Sequence, residues 1–134
     1  MTIFLINSDR NQQEMFREIV RRIDPAHTLL KWFSTESALD FLLDKDSVLP
    51  DLIFLDLVFR ANGGKEMLKA MKSSKVLQRI PVCIYADSDE QSDQDDAIRL
   101  GAIGYIVKQQ NFTSLTESIR EVIRLSGTPS SAWV

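Results

Sequence analysis

Two charged residues directly follow apolar segments of this sequence. Asp56 ends the run 52–55, and Lys108 ends the run 106–107. A continuous apolar run is typical of a strand in a parallel sheet that is covered on both faces. Parallel sheets of this kind carry their functional residues at the carboxyl ends of the strands. A carboxylate and an ammonium group at two such ends could accept or hold a phosphoryl group.

Short β-rich segments alternate five times with segments of helical periodicity. The predicted strands are 2–6, 28–33, 52–55, 82–85 and 105–107. Ser8 or Asp9 is a candidate cap for the first helix, and Ser34 or Thr35 for the second. Repeated strand–helix alternation predicts right-handed crossovers, a parallel sheet and helices on both faces.

The composition indicates an ordinary soluble domain. The chain has 134 residues, a formal net charge of -3 and a pI near 5.1, which argues against a nucleic-acid partner. No apolar stretch is long enough to span a bilayer, so no membrane insertion is expected. Cys83 is the only cysteine, which favours a reducing, cytoplasmic location. We predict one domain over residues 1–126, followed by a short flexible tail over residues 127–134.

Several segments, taken in order, resemble the receiver domain of bacterial two-component response regulators. They are 55–57 with 64–66, 80–82, 101–102 and 104–108. The resemblance implies a flavodoxin-like (βα)5 three-layer sandwich with a parallel sheet of order 2-1-3-4-5. It also implies a regulatory domain, not an enzyme, in which Asp56 accepts phosphate from a sensor histidine kinase or a histidine phosphotransfer protein. Lys108 matches the family's phosphate-contacting lysine.

The metal site implied by the resemblance is incomplete in this sequence. The family anchors Mg²⁺ with two acidic residues after the first strand, and Asn7 and Ser8 stand at those positions. Asp9 lies one residue further on, where we expect it to cap the first helix. The remaining candidate ligands are Asp56, the carbonyl oxygen of Asn7 and the backbone carbonyl of Val58. We therefore expect Mg²⁺ binding to be weak or absent.

The switch residues implied by the resemblance are also altered. Ala86 stands where the family has a threonine or serine, and Tyr105 matches the switch aromatic. Tyr105 either keeps a switch role or lies in one fixed pocket. Gln109 replaces a proline with a cis peptide bond, so we predict a trans bond after Lys108. We expect Lys108 to pair with Asp56 and to lower the pKa of Asp56.

The leading interpretation is a single-domain response regulator in phosphorelay signalling, and two mechanisms remain open within it. In the first, Asp56 is phosphorylated, either slowly or only by a specific cognate donor. In the second, the protein is a phosphorylation-independent docking module. The second uses the face of the predicted fourth helix, fifth strand and fifth helix to bind a kinase, another regulator or a second copy, and the sequence favours it. A flavin carrier or a phosphatase is the remaining alternative, although residues 7–10 make a poor phosphate loop and 56–58 lack a second acid.

Overall fold

The computed structural model describes residues 1–56, 63–108 and 111–127, which form five strands and five helices. The strands are Thr2–Ile6 (β1), Thr28–Trp32 (β2), Leu52–Leu55 (β3), Val82–Ala86 (β4) and Gly104–Val107 (β5). The helices are Arg10–Ile23 (α1), Thr35–Leu43 (α2), Gly64–Ser73 (α3), Gln91–Arg99 (α4) and Phe112–Ser126 (α5). A short 3-10 helix over Leu77–Arg79, which the sequence analysis did not predict, precedes β4.

The strands form one parallel sheet of order β2-β1-β3-β4-β5. This order confirms the predicted flavodoxin-like (βα)5 architecture. All residues of β3 and β4 are buried, as their apolar runs indicated. Because every strand runs in the same direction, the carboxyl ends of β1, β3, β4 and β5 meet at one edge of the sheet.

Alternate residues of the strands face two separate apolar cores. One core contains Phe4, Leu55 and Ile84 and packs under α2, α3 and α4. The other contains Leu5, Phe54 and Tyr85 and packs under α1 and α5. The period of two in a strand determines this division, because successive side chains point to opposite faces.

The buried face of helix α1 includes a polar residue. Phe16, Ile19 and Val20 are buried, whereas Met15 is 36% exposed. Gln13 is fully buried instead. The amide of Gln13 satisfies backbone carbonyls at the ends of β1 and β2, which explains a polar residue at that position.

Local capping follows the predicted residue types. Asp9 accepts hydrogen bonds from the backbone N–H groups of Asn11 and Gln12 at the start of α1. Ser34, not Thr35, caps α2. Gly63 has a φ of 68° immediately before α3, a left-handed conformation that glycine adopts at little cost.

Three predictions lie outside the described residues. They concern the backbone carbonyl of Val58, the peptide bond between Lys108 and Gln109, and residues 128–134 of the predicted tail 127–134. None of the helices in the described parts of the chain is long and apolar enough to cross a membrane.

Candidate functional site

Asp56 and Lys108 form an ion pair at the carboxyl edge of the sheet. The Nζ atom of Lys108 donates to Oδ2 of Asp56 at 2.7 Å, and the two side chains are only 8% and 3% exposed. The backbone N–H of each residue continues the hydrogen bonding of its strand, to Ile6 from Asp56 and to Ala86 from Lys108. Backbone pairing in the sheet therefore positions both charged residues, and the predicted ion pair between them is present.

The predicted net lowering of the pKa of Asp56 is wrong. Burial raises the pKa of Asp56, and this effect outweighs the hydrogen bond and positive charge of Lys108, which lower it. The negative charges of Asp87 and Asp9 raise the pKa further. The charges of these two carboxylates and the loss of water around Asp56 together outweigh the effect of Lys108, on which the prediction rested.

The end of β1 is a closed network of amide hydrogen bonds. The Oδ1 atom of Asn7 accepts the backbone N–H of Asp9 at 2.7 Å, and its Nδ2 atom donates to Gln12 at 2.8 Å. The backbone oxygen of Asn7 accepts from the side chain of Gln13 at 2.7 Å. Both oxygen atoms of Asn7 are thus already engaged, and Asn7 is only 2% exposed.

The two residues that follow Asn7 provide no clear replacement ligand. Ser8 is exposed, and a carboxylate oxygen of Asp9 accepts the capping hydrogen bonds of α1. The described residues contain no group of three or more His, Cys, Asp or Glu side chains that could hold a metal ion. The arrangement at β1 therefore fits a hydrogen-bonded helix start better than a cation site.

The two predicted switch residues lie on neighbouring strands. Ala86 is fully buried, and the partly buried ring of Tyr105 packs against the same core. The hydroxyl of Tyr105 donates to the backbone oxygen of Ser88 at 2.8 Å. The hydroxyl of Ser88 in turn donates a hydrogen bond to the carboxylate of Asp93 near the start of α4. Tyr105 thus has a hydrogen-bond partner in the loop after β4 although Ala86 has no hydroxyl.

Tyr85 is the member of the site that the sequence analysis missed. The pairing of Leu55 with Ile84 puts Asp56, which directly follows β3, next to Tyr85 of β4. The centroid of the Tyr85 ring lies 5.3 Å from Nζ of Lys108. Burial, followed by the charges of Asp56 and Asp87, raises the pKa of Tyr85 to about 12. Strand alternation was the signal that could have identified it, because residues at the same step of adjacent strands share a face.

A comparison with known protein families identifies the family to which this chain belongs. The response regulator receiver domain matches residues 3–120, so the chain belongs to this family. Receiver domains are regulatory domains of two-component systems; they interact with histidine kinases or phosphotransfer proteins and in general bind Mg²⁺.

Individual relatives are distant in sequence and similar in fold. Response regulator Rcp1 of Synechocystis sp. is 25% identical over 124 residues, which cover 90% of this chain and 84% of Rcp1. The phosphate regulon transcriptional regulatory protein PhoB of Pseudomonas aeruginosa is 23% identical over 130 residues, 97% of this chain; the match spans only 55% of PhoB.

Solved structures superpose closely on the described fold. The phosphorylated cyanobacterial phytochrome response regulator RcpA has a TM-score of 0.81 at 25% identity, covering 98% of this chain and 95% of RcpA. The Mn²⁺-bound form of Rcp1 also has a TM-score of 0.81, at 24% identity, covering 96% of each chain. At 24% identity, the similarity to the Rcp1 structure supports the fold alone.

Proposed function

We propose that this chain is a two-component receiver domain that acts mainly by docking to its partner, without needing to be phosphorylated. The observation that carries this proposal is the closed network at the end of β1. Asn7 stands where the family has an acidic metal ligand, and both of its oxygen atoms already accept hydrogen bonds. The residues present therefore do not fit a tightly held Mg²⁺.

The missing charge matters because phosphoryl transfer builds negative charge on the transferred group. At a partly wet site, two unit charges about 4 Å apart interact by up to ~4 kcal/mol. Losing a stabilisation of that size in the transition state slows the reaction by roughly a thousandfold. The Lys108 ammonium on Asp56 supplies one positive charge, and the two positions at which the family resemblance implies acidic metal ligands are Asn7 and Ser8, which carry no charge.

The switch residues support the same proposal. The family passes the phosphorylated state to its switch aromatic through a hydroxyl at the position of Ala86, which has none. Tyr105 is instead bonded to the backbone at Ser88. In our proposal Tyr105 stays in this one position, so the face formed by α4, β5 and α5 is presented to the partner in a single state.

The proposed partner is a sensor histidine kinase or a histidine phosphotransfer protein in the cytoplasm, with a second regulator or a second copy as the other candidates. The receiver domain in this proposal covers residues 1–126, and 127–134 are a tail. We expect no flavin and no phosphatase activity. A colourless purified protein that leaves phosphate esters intact would agree with this expectation.

Slow phosphorylation of Asp56 is the second candidate, and one contact favours it. Nζ of Lys108 lies 2.7 Å from Oδ2 of Asp56, so the acceptor carboxylate and the lysine that would contact the phosphoryl group are together. In this version Asp56 is the phosphoacceptor, Lys108 neutralises the transferred group, and Asn7, Val58 and Asp56 would hold Mg²⁺ only weakly.

Intact-mass spectrometry after incubation with acetyl phosphate and Mg²⁺ separates the two mechanisms. We expect no prompt gain of a phosphoryl group by the native protein. The variant Asn7→Asp/Ser8→Asp, which restores the acidic pair, is expected to gain one. Asp56→Asn, introduced into that variant, should abolish the gain. Prompt modification of the native protein that disappears in Asp56→Asn would overturn the docking proposal.

A further inference from the structure

The side chain of Tyr85 is held under the site without using its hydroxyl. The residue is 1% exposed, and its phenol oxygen has no hydrogen-bond partner in the described structure. Its ring meets the ring of Phe16 edge-on, with centroids 5.4 Å apart and an interplanar angle of 69°. Packing of the ring therefore determines where Tyr85 lies.

The ammonium group of Lys108 is close to both this ring and the carboxylate of Asp56. Its Nζ atom is 2.7 Å from Oδ2 of Asp56 and 5.3 Å from the centroid of Tyr85. A cation within about 6 Å of an aromatic centroid is attracted to the ring face, and the attraction grows when water is excluded. The Lys108 side chain is only 8% exposed, so water screens this contact little.

We propose that Tyr85 is a positioning residue of the site, whose ring keeps the Lys108 ammonium on Asp56. The same contact then favours an ammonium group over a divalent cation as the neighbour of the carboxylate. The ring, and not the hydroxyl, has this role, because the hydroxyl has no hydrogen-bond partner within the described structure. Phenylalanine at position 85 should therefore position Lys108 as well as tyrosine does, and leucine should not.

Nuclear magnetic resonance of the Lys108 ammonium group tests the positioning directly. An ammonium held in a buried pair exchanges its protons with water slowly, so its ¹⁵N signal is expected in the native protein and in Tyr85→Phe. In Tyr85→Leu we expect exchange to be about tenfold faster, in keeping with the strength of a desolvated cation–π contact. An absent signal in the native protein, or an unchanged rate in Tyr85→Leu, would overturn the proposal.

A titration with Mg²⁺, followed by the amide signals around Asp56, tests the consequence for cations. Tyr85→Leu is expected to bind the ion about tenfold more tightly than the native protein, because Lys108 leaves the carboxylate more readily. In a Lys108→Met background the same substitution should have no effect, since Tyr85 acts through Lys108. A tenfold effect that persists in that background, or that appears equally in Tyr85→Phe, would contradict the assignment.

The folded state of each variant is checked by its amide spectrum, and Tyr85→Phe is the matched control for loss of the ring. Neither readout needs a partner protein or phosphate. Failure of this proposal is therefore distinguishable from failure of the docking function.

Discussion

At the scale of single residues, Asp56 is subject to two opposing effects. Burial withdraws water from its carboxylate and raises its pKa, whereas the ammonium group of Lys108 lowers it. Burial is the larger effect, and the charges of Asp87 and Asp9 add to it. The charged form of Asp56 is therefore less favourable in the folded protein than in the unfolded chain, which is common for functional carboxylates.

This shift predicts how stability depends on pH. Because the pKa of Asp56 is higher in the folded state, folding favours the protonated carboxyl group. The stabilisation from this group is fully present below the unfolded pKa of ~3.9 and is lost as the pH rises through the folded pKa. We expect Asp56→Asn to be more stable than the native protein at pH 7, because the neutral amide avoids the cost of burying a charged carboxylate.

Urea unfolding at several pH values measures this difference. The gap between Asp56→Asn and the native protein should shrink as the pH falls towards ~4. Asp40→Asn, at an exposed site, is the control and should change stability by less than about 0.5 kcal/mol. A variant less stable than the native protein at pH 7 would mean that pairing with Lys108 outweighs burial.

At the scale of elements, hydrogen bonds join the end of β1, beside the site, to the start of α1. Asn7 ends β1, Asp9 caps α1, and the side chains of Gln12 and Gln13 bind the side chain and backbone of Asn7. The family resemblance implies metal ligands at this corner; here its polar atoms bind one another. These polar atoms thus form a local network that stabilises the helix start.

The capping role of Asp9 is testable by substitution. Asp9→Ala removes the acceptor for two backbone N–H groups, so we expect a loss of about 1 kcal/mol in the free energy of unfolding. Asp9→Ser keeps an acceptor and should recover most of the loss. Both variants should bind Mg²⁺ like the native protein in the same amide titration. A fall in Mg²⁺ affinity shared by both would show that Asp9 is a metal ligand.

At the scale of the whole molecule, the sheet separates two cores and the site lies at its carboxyl edge. Phe16 joins helix α1 to the sheet, since its ring packs 4.7 Å from that of Phe54 and 5.4 Å from that of Tyr85, centroid to centroid. The core under α1 and α5 therefore also forms the floor of the site. Weakening that core should affect both stability and the position of Lys108.

A cavity at Phe16 should be costly for this reason. Phe16→Ala is expected to lower the free energy of unfolding by about 3–5 kcal/mol, measured by urea titration, because the residue is fully buried. Met15→Ala, at the neighbouring position that is 36% exposed, should cost much less. Equal losses in the two variants would mean that Phe16 does not join α1 to the sheet as described.

The sequence by itself determined the architecture and the position of Asp56 and Lys108 in it. Apolar runs and helical periodicity are local signals, and the strand order followed from the family resemblance. Asp56 and Lys108 were identifiable because each directly follows a strand, and parallel strands bring such ends to one edge.

Only the tertiary structure decided the environment of these charges. The raised pKa of Asp56 and the ring of Tyr85 beside Lys108 depend on distances between segments far apart in the chain. Desolvation and electrostatic interaction are functions of three-dimensional distance and of the water excluded by packing. Residue order specifies which groups exist at the site, and packing specifies how strongly each one acts on the others.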